Sequence, residues 1–279
     1  MAWDESPSDG DDDAAFERSK GDYLKGEEYE HEISRFMCVD NQAGKASKGE
    51  YAHRWFVCRS FGEYESRLID EGKITTWEEV EERRKELGVE PGRVLVDCAW
   101  DTPNVQAVCV KYGWQGLWGD TTNKNSFPHH DQVMTPKGLA QVTRHLPFSK
   151  VQIGHVGIGT SGQQRQARYF FWCNKPIKDM WHRLKGGHTT YKWSVPADIS
   201  LEYKAQTNVE FKRQTTVKST GKKVWEWFFP KSKANHLTDC DQMCLVAAIM
   251  DAKLQTILWS VGGDESSDIP KDETPDENK

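Results

Sequence analysis

No apolar run in the 279-residue chain reaches the roughly 20 residues that a bilayer span requires. The start, MAWDESPSDGDDD, is acidic where a secretion signal is basic and then apolar. A membrane or secreted protein is therefore not expected. Nor is there a disulfide framework. The seven cysteines are odd in number and scattered through apolar segments at Cys38, Cys58, Cys98, Cys109, Cys173, Cys240 and Cys244, which reads as buried, reduced thiols in a cytoplasm. Cys240 and Cys244 make a CxxxC with no second cysteine pair, so a helix is the simpler reading and a zinc site the sharper one. No GxxxxGK[ST] loop occurs, because STGKKV at 219–224 lacks the upstream glycine and reads as a turn. No internal repeat is visible, nor a strong domain boundary inside 33–262.

What is present is 37% hydrophobic and 29% charged residues, enough for one large domain or two small ones around a buried core. The net charge of −6 is unevenly spread. Residues 1–32 carry −9 and residues 264–279 carry −5, which leaves +8 on the body between them. Both acidic ends, 1–32 and 263–279, read as disordered solvating segments, or as tails that compete with a polyanion for the basic body.

The first patterned segment, SRFMCVD at 34–40, is an apolar strand that ends on Asp40. YAHRWFVCRSF and YESRLIDEGKI follow with period-two alternation, as half-buried antiparallel strands. Thr76 and Glu79 form a capping box for the helix TWEEVEERRKELG. After Pro91-Gly92, the VLV of RVLVDCAW reads as a fully buried strand that ends on Asp97. Thr102-Pro103 opens a helix, and QGLWG is a short strand. From 121 to 167 the pattern is expected to be poor in regular structure. Beyond it come a strand (ARYFFWCN), two helices (IKDMWHRLKGG and DISLEYKAQT), a hairpin over 209–230, and one long final helix, HLTDCDQMCLVAAIMDAKLQTIL. The order predicts an α/β fold, a mixed sheet of a three-strand meander plus parallel strands, flanked by helices.

Asp40 and Asp97 each close an apolar strand, a position that costs free energy unless the carboxylate finds a partner. If the two strands are neighbours, the carboxylates meet; otherwise each simply caps its turn. Asp239, in the first turn of the last helix, heads an apolar stripe with Met243, Val246, Ala247 and Met250. It is either a third converging acid or a helix-dipole aspartate. Asp241 points elsewhere on the helix, toward the side expected to be exposed, and remains a possible substitute. Several carboxylates from different elements suit two Mg²⁺ or Mn²⁺ ions, hard cations that take oxygen ligands and, about 4 Å apart, catalyse phosphodiester hydrolysis.

These blocks, with VLVDCAWDTPNVQAVCVKYGW and NHLTDCDQMCLVAAIMDA the longest, resemble in order and spacing the nuclease domain of tailed-phage large terminase subunits of the lambda-like branch. The resemblance covers roughly 33–255. It implies a ribonuclease H-like fold over 33–262 and a two-metal-ion endonuclease. Asp40, Asp97 and Asp239 would be its metal-binding acids, with Asp40 bridging the ions. It further implies double-stranded phage DNA as substrate during genome packaging, in the cytoplasm of the infected bacterium. The ATPase motor, absent here, the small subunit and the portal protein would be partners.

The segment 202–233 is strongly basic. Lys212, Arg213, Lys218, Lys222, Lys223, Lys231 and Lys233 suit phosphate contact, although a merely solvated hairpin would look the same. Trp225 and Trp227 read as packing residues more than base-stacking ones. Asp120 is a weaker fourth acid, and His129, His130 and Asp131 form a cluster with or without chemistry. Two rival readings stand: another ribonuclease H-like nuclease of the resolvase or transposase type, and a non-catalytic DNA-binding assembly module.

Overall fold

The computed structural model describes residues 9–44, 51–120, 122, 124–135, 138–158, 163–216, 220–230 and 232–262. The first helix, α1 (Asp9–Ser19), is acidic, yet Phe16 lies fully inside the core. Tyr23 and Tyr29 are buried behind it, with the Arg67 guanidinium 4.8 and 4.7 Å from their ring centres. The expectation of a solvated tail over 1–32 is therefore corrected for residues 9–32. Three aromatics, too widely spaced to make a periodic pattern, strap an acidic segment to the body. Residues 263–279, the other expected tail, lie outside the described residues.

The meander forms as its alternation predicts: β1 (Ser34–Gln42), β2 (His53–Phe61) and β3 (Glu65–Ile74), all antiparallel. Helix α2 (Trp77–Glu86) starts at Thr76, whose side chain accepts from the Glu79 N–H while the Glu79 carboxylate accepts from the Thr76 N–H. Such a cap is worth about 1 kcal/mol. Strand β4 (Val94–Asp97), helix α3 (Thr102–Tyr112) and strand β5 (Gln115–Asp120) follow as expected.

The next stretch departs from expectation. Residues 121–167 are mostly strand: β6 (Phe127–Thr135) and β7 (Gly138–Leu146) make a separate hairpin, and β8 (Gln152–Ile158) pairs with β9 (Gln163–Cys173). Much of β7 faces solvent, with Leu139 and Val142 exposed opposite Met134 and Asp131, so no apolar alternation marks the pair in the sequence.

Helix α4 (Asn174–Lys185), the short strand β10 (Lys192–Ser194) and helix α5 (Leu201–Thr207) come next. The basic hairpin is β11 (Phe211–Thr216) and β12 (Lys223–Phe228). The expected single last helix divides into α6 (His236–Met250) and α7 (Ala252–Gly262). The break falls at Asp251, which is extended in ψ and accepts the Ser34 hydroxyl at 2.6 Å.

The eight-stranded mixed sheet runs β10-β3-β2-β1-β4-β5-β9-β8, with β1, β4, β5 and β9 parallel. Its β3-β2-β1-β4-β5 centre is compatible with a ribonuclease H-like arrangement. Alternate residues of β1 divide the interior. Phe36 and Cys38 join one core with α1, α4, α5, α6 and α7, while Met37 and Val39 join another with α2 and α3. Among the described residues no helix is long and apolar enough to cross a membrane.

Candidate active site

Neighbouring positions in a parallel ladder project to the same face. Val39 pairs with Val96, so the next residues along, Asp40 and Asp97, stand side by side at the carboxyl ends of β1 and β4. The parity that sends Cys38 and Leu95 into the α6 core turns both carboxylates to that face. Helix α6 starts at the same edge, and its first turn carries His236 and Asp239. His236 Nδ1 lies 2.8 Å from Asp40 Oδ2, so the two form a hydrogen bond. The His236 ring stacks on Trp55, the cross-strand partner of Asp40, at 5.9 Å. Lys73 Nζ stands 5.2 Å from that indole. Gln42 donates to both oxygens of Asp40 at 2.8 Å, and Asp40 is only 3% exposed.

Asp97 feels the charge of Asp40, and Asp239 feels the charge of both. Burial, reinforced by the Asp40 charge, pushes Asp97 up to about 7. Burial also raises Asp239 well above the carboxylate range; Lys178 opposes this, while Glu210, Asp40 and Asp97 add to it. Asp97 and Asp239, half-buried beside the buried Asp40, resist ionising and are short of positive charge, the condition a divalent cation would relieve. The donor set, carboxylate oxygens from three elements, is of the hard kind that Mg²⁺ or Mn²⁺ takes. As they stand, no three His, Cys, Asp or Glu side chains among the described residues converge on one point. The Asp40 oxygens are turned onto Gln42 and His236, and an Asp97 oxygen accepts the Ala99 N–H at 3.2 Å.

A second group, missed in the sequence, braces Asp239. Asn235 Nδ2 donates to Asp239 at 3.3 Å and to Glu210 at 3.2 Å. Glu210, almost wholly buried at the root of the β11–β12 hairpin, pairs with Lys178 at 2.5 Å and accepts from Gln242 at 3.1 Å. Burial opposes its charge, but His182 and Lys178 hold it down at about 2. Burial keeps His182 itself neutral, near 4, and its ring stacks on Trp227 of the hairpin at 4.0 Å. His236 was missed as well, although its spacing, three residues ahead of Asp239 on one helical face, was a signal that could have found it. Glu210 gave no signal, being a lone acid before a run of lysines.

Asp241 is corrected. It is fully buried, not exposed, and accepts from Arg59 (2.8 Å), Trp181 (2.8 Å), Trp193 (2.9 Å) and Tyr203 (2.9 Å). These donors fill its lone pairs and leave it structural, no substitute ligand. Asp120 ends β5 at the same sheet edge. Burial would raise it, but the Thr122 hydroxyl and N–H bind its carboxylate and lower it. Strand alternation turns His130 away from His129 and Asp131, and the three have separate partners. His129 is buried against the Phe148 carbonyl, His130 meets Thr143 and Asp131 pairs with Arg144. Cys240 and Cys244 donate to the Trp55 and Val57 carbonyls inside the core, and among the described residues they join no group that could hold zinc.

On the hairpin, Lys212 pairs with Asp179 at 2.7 Å, and Arg213 lies 3.8 Å from the Phe228 ring centre. Lys222, Lys223 and Lys233 are exposed. Lys218 and Lys231 lie outside the described residues. Trp227 packs as expected, donating to Asp179 at 2.6 Å. The chain matches no protein-family model, no curated protein and no solved structure.

Proposed function

We propose that the chain is a divalent-metal-dependent endonuclease that cuts double-stranded DNA. The observation that carries this reading is the side-by-side placement of Asp40 and Asp97 at the ends of two parallel strands, with Asp239 facing them from α6. Asp40, Asp97 and Asp239 would hold two Mg²⁺ or Mn²⁺ ions, which when bound supply water activation and neutralise charge on the attacking and leaving oxygens.

The rest falls to the protein's own groups. His236 and Gln42 fix the orientation of Asp40, and Asn235, Lys178 and Glu210 fix that of Asp239. Supporting bonds of this kind typically matter tenfold to a hundredfold, roughly, in cation affinity. Asp97 must lose its proton to accept a cation, so affinity rises with pH through about 7. Lys222, Lys223 and Lys233 offer sequence-independent contact with phosphates. The role in phage genome packaging, with a terminase motor, a small subunit and a portal protein on other chains, rests on the sequence resemblance.

Supercoiled plasmid and Mn²⁺ test the reading. The wild-type chain should yield nicked and linear DNA. Asp40→Ala and Asp97→Ala, with unchanged circular dichroism, should yield none. Ordinary cleavage by both variants ends the proposal. The separation of the acids favours one other reading, a DNA-binding module that keeps the fold without catalysis. Such a module would neither bind Mn²⁺ nor nick.

A further inference from the structure

Four aromatic side chains are exposed among the described residues: Tyr51, Tyr64, Trp100 and Phe229. Three of them belong to segments at the end of the sheet that carries the carboxylates. Tyr51, 87% exposed, stands two residues before β2, and the first residue of that strand pairs with Gln42, two past Asp40. Trp100, 40% exposed, lies three residues past Asp97, and its carbonyl accepts from Asn41, the neighbour of Asp40, at 3.5 Å. Phe229, 38% exposed, follows β12, whose last residue Phe228 pairs with Phe211; Phe211 in turn follows Glu210, which Asn235 links to Asp239. Tyr64 sits on the β2–β3 turn at the other end of the sheet.

The turn that presents Trp100 is conformationally special. Asp101, the next residue, has φ 53°, making it the one non-glycine with positive φ among the described residues. Strain of that kind, about 1–3 kcal/mol, persists where the surroundings over-determine it and gathers at functional sites. Here the Thr102 hydroxyl on the Cys98 carbonyl (2.7 Å) and Asn104 on Asp101 (3.1 Å) lock the turn.

Phosphates are held by cations and by hydrogen-bond donors, whereas the face of an aromatic ring stacks on a base. Bases of an intact duplex are already stacked inward and out of reach. Building on the nuclease reading, we propose that Tyr51, Trp100 and Phe229 stack on unpaired bases next to the cleaved phosphate. The preferred substrate is then duplex DNA that is locally melted at the cut. The exposed hairpin lysines would hold the flanking backbone, and the aromatics the opened strand.

The test is fluorescence anisotropy in EDTA with labelled matched duplex and the same duplex carrying a short central bubble. The wild-type chain should bind the bubble about tenfold tighter, the scale of one base–aromatic stack. Trp100→Ala and Tyr51→Ala should lose most of that preference while binding matched duplex as before, and Trp100→Phe should retain it. Equal binding of the two DNAs by wild type, or alanine variants that keep the preference, overturns the proposal. Mn²⁺ cleavage of the same DNAs separates the two readings. Cleavage with no bubble preference sinks base stacking and leaves the nuclease. A bubble preference without any cleavage sinks the nuclease and leaves base stacking.

Discussion

Asp239 and Asp241 stand two positions apart on α6, in opposite surroundings. Asp241 is saturated by Arg59, two indoles and a phenol, and Asp239 faces other acids with Lys178 as its main offset. Removing one partner from a buried ion pair costs about 3–5 kcal/mol. Asp241→Asn should therefore lose that much in urea unfolding, whereas Asp239→Asn should fold at least as stably as wild type and lose Mn²⁺ binding. The reverse pattern would contradict the assignment. For Asp97 the sign follows from its raised value of about 7. The folded chain favours the protonated form, so ionisation works against folding. The penalty is absent below about pH 4, the ordinary carboxylate value, and grows as pH rises to 7, reaching at most about 4 kcal/mol. In EDTA, Asp97→Asn should melt above wild type at pH 8, with the gap closing toward pH 4. A gap independent of pH would refute the cause given. At this scale the sequence showed Asp40 and Asp97, because an apolar strand that ends on a carboxylate is a local pattern. It hid the fate of Asp241, whose donors come from four distant positions that only the fold brings together.

Elements with one buried face were readable, and those with two exposed faces were not. The β1–β2–β3 meander and the Thr76 cap lie where periodicity and capping place them. The β6–β7 hairpin escaped because solvent on its surfaces removes the apolar alternation by which strands are recognised. The β11–β12 hairpin was recognised by its turn and its lysines, but its docking was not. It is pinned to α4 by Trp227 on His182 and Asp179, and to Asp239 through Glu210 and Asn235. That anchoring fixes the hairpin root beside Asp239, and its exposed lysines stand at the far end, where Lys223 pairs with Thr216. Lys222→Ala with Lys223→Ala should weaken DNA binding evenly across sequences and make the slope of log K against log salt shallower by about two. An unchanged slope would show that the hairpin does not touch phosphate.

Across the whole molecule, charge is divided by role. An acidic strap, α1, packs through Phe16 against the core, and Lys204 takes Asp13 and Glu17 at 3.3 and 3.1 Å. Composition marked that segment as solvated because acidic residues outnumber the three aromatics that anchor it. Strand order, which composition does not carry, sets Asp40 beside Asp97 and aims α6 at both. The account stands or falls on whether that edge takes cations. Crystals soaked in Mn²⁺ and measured for anomalous scattering decide it. The prediction is density between Asp40 and Asp97 and beside Asp239, with His236 and Gln42 released from at least one Asp40 oxygen. Saturating Mn²⁺ that leaves this edge empty while binding elsewhere, or nowhere, would contradict it.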